Sequence, residues 1–185
     1  MAAESVSSSG LVSRMMRALR LDIHLYEEVE NDKGATKQAA AVVIFASIIA
    51  GLGFASTGGA LGLVLGIAVN FIGWALWAWL NYFIGSKLLA EKDTHADWGQ
   101  LARAMGFAYT PRIFLLLVLI PVMALQGLIT LVVVVWVWIG MVLAVRSALD
   151  YKSTLRAVGV TLIGAIINGI ALYILRISLG VSPAA

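Results

Sequence analysis

The ionic side chains of this chain lie on one side of its apolar segments. Five Lys and Arg precede the first apolar run (Arg14, Arg17, Arg20, Lys33, Lys37) and none follows it. Four surround the next connection (Lys87, Lys92, Arg103, Arg112), none the one after, and three the last (Arg146, Lys152, Arg156), before a final Arg176. Short loops that keep Lys and Arg stay on the cytoplasmic side, so the alternation predicts five crossings with the amino terminus inside and the carboxyl terminus outside. All 10 Asp and Glu fall on that same side, from Glu4 to Asp150.

The hydrophobic share of 61% exceeds the roughly 45–50% of soluble domains, so the solvent is a bilayer. The expected fold is all-α, a polytopic bundle of five transmembrane helices. A net charge of +3 confined to juxtamembrane stretches points to anionic headgroups at the inner face and not to nucleic acid. The absence of Cys excludes a disulfide, a thiol nucleophile or a thiolate metal site. Met1 to Gly10 lacks a basic region followed by an apolar core, so no cleavable signal peptide is expected.

A crossing needs roughly 20 apolar residues, with about 17 as the lower limit. Spans are expected near 39–55, 60–84, 104–125, 128–145 and 157–175. They form one membrane domain, 39–176, between a cytoplasmic segment, 1–38, and a short outside tail, 177–185. Ser56-Thr57-Gly58-Gly59 and Gln126-Gly127 read as tight breaks. The third span holds Pro111 and is expected to kink before it, with Arg112 snorkelling toward the inner headgroups. Ahead of the first span, Val12, Met15, Met16, Leu19, Ile23 and Tyr26 recur at helical spacing. One amphipathic helix over 11–30 follows, lying in the interface or packed on the inner ends of the bundle.

The stretch Arg103-Ala104-Met105-Gly106-Phe107-Ala108-Tyr109-Thr110-Pro111 resembles the Arg-Ala-Leu-Gly-Tyr-x-Tyr-x-Pro element of the Yip family of multispan membrane proteins. Tyr26-Glu27-Glu28-Val29, Ala35-Thr36-Lys37-Gln38-Ala39 and Val145-Arg146-Ser147-Ala148-Leu149 match in order and spacing, over about residues 14 to 176. The resemblance implies a five-helix bundle with a cytoplasmic amino end and no known catalytic activity. Eukaryotic members are associated with vesicle traffic and small-GTPase partners. This chain has no Asp-Leu-Trp-Gly-Pro element of those members, which argues against a small GTPase and for a bacterial-type relative.

Candidate interface or lipid-contact residues are Arg14, Arg17, Arg20, Arg103, Gly106, Tyr109, Pro111 and Arg112. The Gly106–Arg112 stretch reads either as a structural kink with interfacial anchors or as a small binding cleft. Gly62 and Gly66 form a Gly-x-x-x-Gly pair, and Asn70, Asn168 and Gly169 are the other helix-packing candidates, within one chain or between chains. No span carries Asp, Glu or Lys at mid-membrane, which counts against ion-coupled transport. His24 with Glu28, and His95 between Asp93 and Asp97, lack metal-site spacing, and no nucleophile and base stand in a recognisable order. No cofactor, metal or catalytic residue is therefore expected. The leading functional expectation is a non-enzymatic membrane protein that binds lipids, other membrane proteins or itself. An accessory subunit of a larger complex and a small-solute channel or carrier are the alternatives.

Overall fold

The computed structural model describes residues 10–92, 94–120 and 122–179, without the side chains of Ser56 and Thr57. Among these the structure is helical, without strands. Five helices are long and apolar enough to cross a membrane: Ala35–Ala55, Gly58–Leu88, Trp98–Leu119, Met123–Ala148 and Thr154–Ser178. They are referred to as the first to fifth spans. Their connections leave one end of the bundle charged and the other nearly free of ionic groups.

The single helix expected over 11–30 is two helices, α1 (Leu11–Leu19) and α2 (Ile23–Asn31). The elbow between them takes Leu21 into the left-handed region at φ 56°, and Asp22 caps α2 by accepting from the backbone of His24. Breaking the helix lets each half turn its own face inward, burying Ala18 from α1 and Leu25, Tyr26 and Val29 from α2, while Val12 and Met16 of the expected stripe stay exposed. One straight helix would bury it along one line only.

The first two spans fold against each other at Gly59, whose φ of 58° suits glycine. Their backbones come close because Gly62 has no side chain: a Cβ there would stand 2.4 Å from the Phe54 carbonyl oxygen. Gly66 lies against Phe54 and Gly51 in the same seam. The second span ends in a widened π-turn, Ile84–Leu88, and the Tyr151 hydroxyl lies 2.8 Å and 2.7 Å from the carbonyls of Gly85 and Leu89.

The third span begins at Trp98, earlier than the expected 104. Asp97 caps it, accepting from Gln100 N at 2.9 Å, while the Gln100 side chain accepts from Asp97 N at 2.7 Å. This reciprocal capping box satisfies backbone donors that a helix start leaves open. The α-helix ends at Ala108, ahead of Pro111, and the span continues as a 3-10 helix, Thr110–Leu119, with the Thr110 hydroxyl donating to the Phe107 carbonyl at 2.6 Å. Pro111 falls in the first turn of this 3-10 helix, where an N–H has no partner within the helix in any case.

The third span ends at Leu119 and the fourth begins at Met123, so Gln126-Gly127 are inside the fourth span and do not form the break. The Gln126 amide folds back to donate to Val118 and Ile120 carbonyls, at 2.9 Å and 3.1 Å. It thereby covers the open end of the 3-10 helix, a need of any helix terminus.

Candidate functional site

The third span's first helix is the centre of the charged end: every residue from Leu101 to Pro111 is buried. Gly106 makes this possible, since a Cβ there would stand 2.8 Å from the Ala39 side chain of the first span. On the opposite side Gly140 of the fourth span leaves room for Tyr26 of α2, whose hydroxyl would be 3.1 Å from an added Cβ. Two glycines thus let four elements converge.

Arg103 fastens α2 to this centre. Its Nε donates to the Val29 carbonyl at 3.0 Å and its Nη2 to the Glu30 carbonyl. These carbonyls belong to the last turn of α2, where a cation meets both unpaired acceptors and the negative end of the helix dipole. Arg103 is therefore an internal strut and does not face lipid. Arg14 is likewise buried, with its side chain 1% exposed. It donates to Glu28 at 2.8 Å, to Asp32 at 2.7 Å and to Gln38 Oε1 at 3.0 Å, joining α1, α2 and the first span. Arg17 pairs with Asp22 at 2.8 Å and with Glu28. Of the three α1 arginines, Arg20 is the exposed one. Hydrogen bonds from Arg17 and from Arg14 hold the carboxyls of Asp22 and Asp32, respectively, below the ordinary carboxylate range.

Sequence reasoning missed Glu30. It is 6% exposed and has no ion pair among the described residues; its carboxylate accepts from the Ser147 hydroxyl at 2.9 Å and from Asn31 at 3.4 Å. Desolvation pushes it up to about 7, opposed by the Ser147 hydrogen bond and reinforced by Asp150 and Glu27. The signal was available: Glu30 stands four residues after Tyr26 and next to Val29, on the buried face of α2.

Arg112 lies two residues before Phe114, whose ring stacks on Trp136 at 5.6 Å, within the fourth span. Its guanidinium covers the buried Tyr109 ring at 4.1 Å. Of the packing candidates, Gly62 and Gly66 meet the first span, whereas Asn70 donates to Gly66 of its own helix at 2.8 Å and Gly169 has nothing within 4 Å. Asn168 is buried with its Oδ1 unpartnered among the described residues.

Two apolar grooves open on the outer face of the fourth span. One, of about 550 Å³, lies under the α1–α2 elbow between Leu19, Leu21, Val135, Trp136 and Ile139. The other, of about 260 Å³, runs beside Phe114 and Leu117. Val132 and Trp136 belong to both, so the grooves adjoin. The elbow is pinned above them by the Trp136 indole, which donates to the Leu19 carbonyl at 3.1 Å.

Neither curated proteins nor solved structures returned a match to this chain. The family model of the Yip1 domain matches residues 25–175, which run from α2 through the fifth span and include the Arg103–Pro111 stretch. With five membrane-spanning helices and a match over most of its length, the chain belongs to the Yip1 family of integral membrane proteins.

Proposed function

We propose that this protein is a non-enzymatic membrane protein of a bacterial inner membrane, with its charged end cytoplasmic, that binds lipid or protein partners through the surface around the α1–α2 elbow. The observation that carries this reading is the allocation of side chains there. Arg14, Arg17 and Arg103 are consumed in holding the helices together. What α1 turns outward is Val12 (72% exposed) and Met16 (48%), followed by the exposed Arg20, which has no charge partner among the described residues, above the joined apolar grooves. An apolar face flanked by an exposed cation suits the boundary between acyl chains and anionic headgroups.

The accessory-subunit reading draws on the fifth span, which exposes Ile163, Ile166, Ile170, Tyr173, Ile174 and Ile177. Lipid covers such a face equally well, so it ranks second. A photo-crosslinking side chain at Val135 should capture a lipid or membrane protein in cells, and one at the buried Met141 should not. Equal capture at both sites, or none at Val135, would sink the proposal.

A further inference from the structure

The two grooves beside the fourth span join through Val132 and Trp136, and the elbow residues Leu19 and Leu21 form one wall of the larger. From Ile139 to Leu128 the joined groove follows the fourth span for about 16 Å, at about 1.5 Å per residue. That is half of a hydrocarbon core of about 30 Å, the depth that the acyl chains of one leaflet fill. Every side chain lining it is apolar apart from the Trp136 indole N–H, which is spent on the Leu19 carbonyl. An extended peptide laid there would leave its backbone donors and acceptors unpaired, whereas an acyl chain has none to satisfy.

A cation stands at the elbow. Arg20 lies between the two wall residues Leu19 and Leu21, exposed and with no charge partner among the described residues. The acid that follows it, Asp22, is held by Arg17 at 2.8 Å and does not compete for it. We infer that the joined groove holds one acyl chain of an anionic phospholipid whose phosphate is met by Arg20. This rests on reading the elbow as a partner-binding surface and names the partner as a lipid. The hydrogen bond from Trp136 clasps the elbow over the chain, so this lipid is retained while those around the bundle exchange.

The test is native mass spectrometry of the full chain in dodecyl maltoside, with phosphatidylglycerol or phosphatidylcholine of identical acyl chains added. Wild type should retain one phosphatidylglycerol, in preference to phosphatidylcholine by about tenfold, the effect of one hydrogen bond to a charged group. Arg20→Gln should bring the two lipids to parity, while Lys37→Gln, which removes another exposed cation, leaves the preference unchanged. Val132→Trp fills the part shared by both grooves and should lower retention of either lipid about tenfold. Because Arg20 is exposed, Arg20→Gln decides alone if Val132→Trp fails to fold. Equal retention of the two lipids by wild type, an unchanged preference in Arg20→Gln, or undiminished retention in folded Val132→Trp would overturn the site. Capture of a membrane protein from Val135 together with no retained lipid would also overturn it, and would leave the elbow standing as a partner-binding surface.

Discussion

Glu30 shows how a single side chain sets a property of the assembly. Its carboxyl rises to about 7 in the folded protein from an ordinary 4.5. The folded state therefore binds the proton more tightly than the unfolded chain, so this contribution is complete below about pH 4.5 and is lost as pH rises through 7. Asp22 and Asp32, held low by arginines, act oppositely and only at more acidic pH. Docking of α2, followed by amide exchange of residues 23–31, should loosen between pH 5 and 8. Glu30→Gln should flatten that dependence; an unchanged profile would refute the assignment. Arg103→Gln removes both donors to the end of α2 and should expose the same amides at every pH, by about 1–3 kcal/mol for the buried acceptors left unpaired.

At the scale of elements, glycine positions divide into those that set distances between helices and those that do not. Gly62→Ala forces a methyl against a backbone carbonyl that cannot swing away, so the first two spans must separate. A destabilisation of about 1–3 kcal/mol is expected, the usual effect of overpacking. Gly169→Ala meets nothing and should melt as wild type does or slightly higher. Thermal unfolding in detergent compares the two, and equal effects would mean that the seam around Gly62 is not tight. The start of the third span is a second such element, where Asp97→Ala removes a capping box at a typical cost of about 1 kcal/mol. Gln126 belongs to the same class, since a polar residue that looked like a loop marker serves as a cap from inside the next helix.

For the whole molecule the testable quantity is orientation. A reporter at Gly58 should register outside and one at His95 inside; a periplasmic signal at His95 would invert every assignment of leaflet made above. The five-crossing layout was legible because a bilayer imposes two coarse constraints, length and charge placement, and both leave marks along the linear chain. Much of the charged end was not legible. Arg14, Arg17 and Arg103 look identical to headgroup-binding arginines in sequence, because the partners that claim them, Glu28, Asp32, Val29 and Glu30, come from other elements. The start of the third span was set too late for a related reason: the cap at Asp97 lies on the polar connection, and it begins the helix at Trp98. Segment length and charge placement therefore determined by themselves that the chain is an all-helical membrane bundle with its charges gathered at one end. Which arginines are buried struts and which one is left exposed was decided only by tertiary packing, because a charge takes its role from what lies within a few ångströms of it.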